Sequence, residues 1–264
     1  MAMTFFGYIV MGAVVGLLGG MLGIGGGSLI VPGLVFLFSR QGVPLGLAMK
    51  IAIATSLVSI LFTSLRAMRA QAKRQAIDWH IVSMLGVPVL IGSLVSGSVA
   101  AYLPGAILKV VFGVFLGIVG LQLLVAWRPI SRWQLPGRPG LFAAGMVIGT
   151  LSAMLGIGGG SLTVPFLTAC RVDMRRAAAI STTLAVPIAF FGALGFVSSG
   201  WQRSGLPPET LGYLYLPALL GITPVAVLVA PLGVHWAHRL PVETLRRIFG
   251  VLLLVVSAQM ILMR

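Results

Sequence analysis

Acidic residues are almost missing from this chain: Asp78, Asp173, Glu209 and Glu243 are the four carboxylates in 264 residues. Eighteen Lys and Arg leave a formal net charge of +14, yet charged residues make up only 8% of the sequence. A soluble domain carries roughly a quarter. Cys170 is the single cysteine, which excludes an intrachain disulfide and a thiolate metal site and reads as a small apolar residue in a helix. No carboxylate sits inside an apolar run, so the ionisable relay that proton-coupled carriers place within the membrane is not found. His80, His235 and His238 are the other groups titrating near neutrality, and nothing in the sequence calls for a cofactor or a metal. Despite the charge there is no soluble basic domain and no basic–aromatic surface, so nucleic acid is not a partner. No basic n-region precedes the first apolar run, so a cleaved signal peptide is not expected.

What fills the chain instead is apolar: 58% of residues, with a mean hydropathy of +1.09. Residues 3–39, 79–108, 139–170 and 210–238 contain no Lys, Arg, Asp or Glu. About 20 apolar residues cross a bilayer core as a helix, so lipid is the solvent and the lipid bilayer is a partner. Trp79, Trp127, Trp133, Trp201 and Trp236 fall near the ends of apolar segments, as interfacial anchors do.

The sequence is also written twice. Residues 21–32 read MLGIGGGSLIVP and residues 154–165 read MLGIGGGSLTVP, identical at eleven of twelve positions. Ala54-Thr55-Ser56-Leu57 corresponds to Ser181-Thr182-Thr183-Leu184, and Pro104, Phe112-Gly113-Val114 and Gln122 correspond to Pro241, Phe249-Gly250-Val251 and Gln259. Such duplication defines residues 1–127 as a first transmembrane repeat, 128–138 as a linker and 139–264 as a second repeat. Apolar segments are expected at 3–22, 28–39, 45–65, 79–102 and 107–127, then at 139–155, 161–170, 177–199, 211–234 and 248–263. The second of each set is too short to span, so the first two of each half form a hairpin with the Gly-rich stretch at its tip.

Charge orients the halves. With the basic loop 66–78 in the cytoplasm, an inverted arrangement places Arg66, Arg69, Lys73, Arg74, Arg128, Arg132, Arg138, Arg171, Arg175, Arg176, Arg239, Arg246 and Arg247 inside, which is 13. It leaves Arg40, Lys109, Arg203 and Arg264 outside, which is 4. A parallel arrangement of the same loops divides them 9 to 8. Cytoplasmic loops carry the excess of Lys and Arg. The expected fold is an all-α polytopic membrane protein of two inverted repeats of about five helical segments each, with Gly-rich hairpin tips near the midplane, a cytoplasmic linker and both termini periplasmic.

In inverted-repeat transporters substrate lies near the midplane, where interrupted helices of the two halves meet. Here the interruptions are Gly25, Gly26, Gly27 and Ser28, and Gly158, Gly159, Gly160 and Ser161. Three glycines in a row disfavour a helix interior and let backbone approach a ligand. Ser28 and Ser161 read as N-caps of the helices that follow, with Pro32 and Pro165 near the first turn. Two helix N-termini, each with free N–H groups and a positive dipole end, would form one anion cradle; the plainer alternative is that the glycines only let two hairpins pack. Thr55 and Ser56, with Thr182 and Thr183, are hydroxyl pairs that could donate to an oxyanion or bond their own helices, and Gln122 and Gln259 are weaker examples. Lys50 lies about five residues into a span, where it could face a substrate path or snorkel to the interface.

At the doubled GIGGGSL-x-VP pattern, with Thr55-Ser56-Leu57 and the terminal Pro and Gly correspondences, the chain resembles the sulfite exporter TauE/SafE family over its whole length. The resemblance implies a secondary transporter of the cell inner (cytoplasmic) membrane that exports a small anionic substrate, sulfite or an organosulfonate of the sulfoacetate type. It carries the site over onto the Gly-rich tips; the second hydroxyl pattern departs from the family form as Thr182-Thr183-Leu184. The alternative is an importer or channel for another small organic or inorganic anion, and a homodimer stays open. An enzyme is not expected: a serine nucleophile at Ser28 or Ser161 needs a base within hydrogen-bond reach, and the histidines lie at segment ends.

Overall fold

The computed structural model of the chain describes residues 2–22, 26–73, 77–125, 134–201, 203, 205–237 and 242–262. Its first half contributes α1 (Ala2–Leu22), α2 (Gly27–Arg40), α3 (Leu45–Lys73), α4 (Trp79–Tyr102) and α5 (Gly105–Leu124). Its second half contributes α6 (Arg138–Met154), α7 (Gly160–Ala169), α8 (Met174–Gly200), the strands β1 (Thr210–Leu211) and β2 (Leu214–Tyr215), α9 (Leu216–Ala237) and α10 (Val242–Leu262). The protein is all-α apart from this one hairpin among the described residues, and α3, α4, α5, α8 and α9 are long and apolar enough to cross a membrane. At 1.5 Å per residue, α2 and α7 reach only about 21 Å and 15 Å, short of a core of about 30 Å.

The ends of the helices follow from local chemistry. Two of the four acids are caps: Asp78 accepts from the N–H groups of His80 and Ile81 at the start of α4, and Asp173 accepts from Arg175 N–H at the start of α8. A carboxylate there also meets the positive end of the helix dipole. The short helices close alike. Val43 N–H reaches Phe38 O and Gly42 N–H reaches Ser39 O; Val172 N–H reaches Leu167 O and Arg171 N–H reaches Thr168 O. Both are left-handed C-terminal closures, with φ +76° at Gly42 and φ +63° at Arg171.

Most expected segments match these helices to within three residues. α3 runs eight residues past the expected 45–65, to Lys73, so Arg66, Arg69 and Lys73 of the expected loop 66–78 are helical, and α10 begins six residues before the expected 248. One segment needs a further correction. The run 211–234 is not one helix: residues 210–215 pair as an antiparallel hairpin, Thr210 with Tyr215 and Leu211 with Leu214. Glu209 (φ +69°) and Gly212 (φ +55°) turn the backbone out of helical geometry, and Pro207 and Pro208 supply no N–H upstream. Most of the linker 128–138 lies outside the described residues.

α3 and α8 are the most deeply buried spans and cross at the centre. Gly192 sits by Leu57 while Ala185 packs with Ile60, so the two run antiparallel. α5 and α10 are antiparallel as well, with Gly113 by Ile261 and Gly120 by Gly250. α1 lies along α9 in parallel, with Gly12 against Ile222 and Gly16 against Ala226. In the same way α6 lies along α4, with Gly145 against Pro88 and Gly149 against Val89. A Cβ at Gly16 would stand 2.6 Å from Ala226 O; small residues buy this backbone proximity where lipid supplies no hydrophobic drive. α1 and α2 fold back on each other, with Gly7 by Leu37 and Gly33 by Met11, so the hairpin of the first half is present. These directions define two ends. The hairpin end carries residues 40–45, 102–105 and 205–215, and the basic end carries the C-terminus of α3 and the loop 170–173.

Arg171 is exposed and holds a conformation that glycine adopts without strain. Arg171→Gly should therefore raise stability by about 0.5–1 kcal/mol, read as a higher thermal unfolding midpoint in detergent. Gly42→Ala should lower it; an unchanged midpoint in both variants would contradict this account of the closures.

Candidate functional site

The two Gly-rich stretches meet beside α3. A Cβ on Gly27 would lie 2.6 Å from both Gly156 O and Ile60 Cδ1, and 3.3 Å from Ile157 Cα. The same Gly156 carbonyl accepts from Ser56 Oγ at 2.9 Å. Gly156 (φ +65°) and Gly159 (φ +75°) take left-handed conformations, which turns the chain sharply between α6 and α7.

The helix starts correct one sequence expectation. Ser28 and Ser161 are not N-caps but the second residues of α2 and α7; Gly26 and Gly159 occupy the cap positions, with no side-chain cap at either. The carbonyl of Gly26 accepts from Leu29 and Ile30, and that of Gly159 from Leu162 and Thr163. The N–H groups of Gly27, Ser28, Gly160 and Ser161 come before the first intrahelical bonds and have no acceptor within their helices. The prolines fall in the second turn rather than the first. Having no N–H, Pro32 and Pro165 give no i–4 donor to the carbonyls of Ser28 and Ser161.

A cavity of about 250 Å³ adjoins the tips, lined by Gly26, Gly158 and Gly160 together with Ser59, Thr63, Ser64, Ser181 and Thr182. Thr63, Ser64 and Ala67 carry it toward the basic end. Among the described residues, no carboxylate and no cation lines it. Most of its hydroxyls are already bonded: Ser59 to Thr223 at 2.7 Å, Ser64 to Ile60 O at 2.6 Å, Thr63 to Ser59 O and Ile60 O, and Thr182 to Ala178 O at 2.8 Å. The donors left for a ligand are thus chiefly backbone N–H groups.

Of the residues expected at a site, Gly26, Gly158, Gly160 and Thr182 line this cavity. Gly27, Ser28, Gly159 and Ser161 stand behind them in the tips, and Gly25 lies outside the described residues. Ser56 holds the tip of the other half, Thr55 accepts from Tyr215 N–H at 3.2 Å, and Thr183 bonds Ala179 O at 2.9 Å. Lys50 is elsewhere: it lines a larger hollow of about 500 Å³ at the hairpin end, with Arg203 and Tyr213. Residues 51–57 of α3, all fully buried, separate the two spaces. Gln122 and Gln259 lie on α5 and α10, away from both, and His80 and His235 are exposed. Glu243 pairs with Arg247 in the open, Glu209 is exposed, and the carboxylates of Asp78 and Asp173 are committed to caps.

The second tip carries an unpaired polar group of its own. Ser152 Oγ, Ser161 Oγ and Thr163 Oγ1 are buried without a hydrogen-bond partner. Ser152 Oγ and Thr163 Oγ1 each lie 3.5 Å from the point a Cβ on Gly159 would occupy. Thr163 stands at the single mismatch of the repeated stretch, where the first copy has Ile30.

Ser59, Thr63 and Ser181 were missed from sequence. Thr55, Ser59 and Thr63 recur every four residues and form one polar stripe on α3, which helical periodicity could have disclosed.

This arrangement defines a multi-pass helical membrane protein whose two interrupted helices meet at a cavity. Residues 8–260 match the family described as Sulfite exporter TauE/SafE, and the chain belongs to that family of membrane transporters. Its relatives include a probable membrane transporter protein of Haemophilus influenzae, 32% identical over 96% of this chain and 97% of that one. Another, from Methanocaldococcus jannaschii, is 33% identical over 84% of this chain and 79% of the other. A third, from Bacillus subtilis, is 26% identical over 98% of both.

Contact between the tips leaves no room for a side chain at Gly27. Gly27→Ala forces its Cβ into the Gly156 carbonyl, and overpacking of this kind costs about 1–3 kcal/mol. Ser56→Ala leaves that carbonyl without its donor, at a cost of about 1–3 kcal/mol. Both should lower the thermal midpoint and cut transport. Gly86→Ala, in α4 with nothing within 4 Å of the added carbon, should lower neither. Equal behaviour of Gly27→Ala and Gly86→Ala would contradict the tip contact.

Proposed function

We propose that this chain is a secondary transporter that exports a small sulfur-containing anion, of the sulfite, sulfonate or sulfoacetate type, across the cytoplasmic membrane. The observation that carries this reading is the pair of uncapped helix starts, α2 and α7, brought together at one hydroxyl-lined cavity without a carboxylate. Free N–H groups at the positive end of a helix dipole stabilise an anion without a buried cation. The unpaired hydroxyls of Ser152, Ser161 and Thr163 favour the second tip as the stronger holder of an oxyanion, since an unpaired buried hydroxyl costs about 1–3 kcal/mol. The family description names sulfite, which supplies the sulfur chemistry.

The inverted arrangement is part of the proposal. It is supported by the corresponding helices α3 and α8, and α5 and α10, which run antiparallel. It is supported as well by charge: Arg66, Arg69, Lys73, Arg171, Arg175 and Arg176 gather at the basic end, while Arg40, Lys50, Lys109 and Arg203 lie on the hairpin-end portions of the chain. The basic end is then cytoplasmic. The tip cavity leads toward it, and the buried 51–57 block closes the other side, as expected of an exporter waiting to be loaded.

With the carboxylates at caps and loops, no proton relay is needed in this reading; the anion leaves down the membrane potential. One charge crossing the field gains about 2.3 kcal/mol per 100 mV, roughly a fifty-fold accumulation outside. In proteoliposomes, efflux of sulfite or sulfoacetate should speed up under an inside-negative potassium diffusion potential, and a pH gradient alone should add little beyond altering the substrate's own charge. Loss of flux on replacing His80, His235 and His238 together, with no response to voltage, would overturn the potential-driven scheme. Flux of acetate with none of the sulfur anions would overturn the substrate.

A further inference from the structure

α8 carries five side-chain hydroxyls, and four of them are committed to its own backbone. Thr182 Oγ1 donates to Ala178 O at 2.8 Å and Thr183 Oγ1 to Ala179 O at 2.9 Å, while Ser198 and Ser199 both donate to Gly195 O. Such back-bonding is the usual arrangement for a hydroxyl inside a helix. Ser181 departs from it. Among the described residues its hydroxyl has no hydrogen-bond partner, although Ala177 O stands one turn before it. Ser181 is 3% exposed and shares the wall of the tip cavity with Gly158, Gly160 and Thr182. The oxygens of Ser152, Ser161 and Thr163 are closed off by surrounding protein; that of Ser181 is not.

The repeat isolates this hydroxyl further. Ser181 corresponds to Ala54, which is fully buried in the 51–57 block, so the packing shared by the two halves does not call for an oxygen here. A hydroxyl so deeply placed is costly unless something in the space it faces completes its bonding. Its neighbours decide what that is. The N–H of Gly160, at the start of α7, has no acceptor within its helix and stands at the positive end of the dipole. No carboxylate competes for these donors among the described lining residues. A neutral water meets the hydroxyl well but gains less from the dipole; an oxyanion is favoured by both.

We infer that Ser181 is the side chain that touches the anion, its hydroxyl donating to an oxygen of an oxyanion lodged at the tips. It adds one side-chain donor, from α8, to the backbone N–H groups of the broken helices. The inference rests on the proposed reading that an anion enters the tip cavity, and not on the direction of transport or on sulfur as the central atom.

The test is calorimetric titration of the purified full-length protein with methanesulfonate and with dimethyl sulfone, a neutral molecule of similar shape. Methanesulfonate should bind more tightly. Ser181→Ala should weaken it about tenfold or more, the loss of one charge-assisted hydrogen bond. Ser181→Cys keeps most of the volume but gives up the strong donor, so it should behave like the alanine variant. Ser198→Ala, on the same helix outside the cavity, should bind as the wild type does. Because the Ser181 hydroxyl bonds nothing in the protein and alanine is the better helix former, the thermal midpoint of Ser181→Ala should hold or rise. A fall in that midpoint would make Ser181 a structural residue and overturn the inference. Equal affinity of wild type and Ser181→Ala, no binding of methanesulfonate by the wild type, or equal binding of the sulfone would overturn it too. Sulfite flux in any of those cases keeps the exporter; binding that depends on Ser181 in a protein without flux sinks the exporter and keeps this contact.

Discussion

One hydrogen bond organises the centre of this protein: Ser56 of the first half donates to the carbonyl of Gly156 in the second, with Gly27 packed on the same oxygen. In the hydrocarbon core no water satisfies irregular backbone, so a broken helix survives at depth only where protein completes its bonds. The tip before α7 is completed partly by itself, through Gly156 N–H to Ala153 O and Ile157 N–H to Ser152 O. Its outward carbonyl is completed by α3. That bond fixes the tip against the central helix, and a glycine at position 27 is what lets the other tip close on it. With the serines displaced to the second helical position, the helix N-termini stay uncapped, and donors that a cap would have used are left facing the interior.

Much of this was legible in the sequence. The charge-free runs mark the helices because lipid tolerates few ionised groups, and the repeated MLGIGGGSL stretch marks the two broken helices. What could not be read was decided by tertiary geometry. Serine after glycine suggests an N-cap by propensity, yet the left-handed turn at Gly159 starts α7 two residues sooner. Thr55 and Ser56 stood out as a pair of donors, and both are occupied in cross-links to Tyr215 and Gly156. Lys50 was readable as a buried cation, but its partners in space, Arg203 and Tyr213, lie more than 150 residues away behind a hairpin that an apolar run concealed.

The two halves are alike where they pack and unlike where chemistry is at stake. Their short helices end in the same closure, and α1 on α9 repeats α6 on α4. Against that background, Thr163 opposite Ile30 and Ser152 opposite Gly19 give the second tip hydroxyls that the first lacks. The β-hairpin before α9 places Tyr215 edge-on to Phe38 and Tyr8 and holds Thr55, so aromatic packing ties the hairpin to α1, α2 and α3.

The central claim is that the paired tips form the wall on which an anion is held. It is tested most directly by modification of a cysteine placed at Thr182, which lines the tip cavity, in a Cys170→Ala background. The native thiol is buried, and burial pushes its pKa up, so it adds little reaction of its own. An organosulfonate serves as the ligand, because sulfite itself attacks thiol reagents. An impermeant reagent offered from the cytoplasmic side should label Thr182→Cys, and a saturating sulfonate should slow that labelling about tenfold or more, leaving an exposed control at the basic end, Met174→Cys, unchanged. Labelling at the same rate with and without the sulfonate would contradict the account.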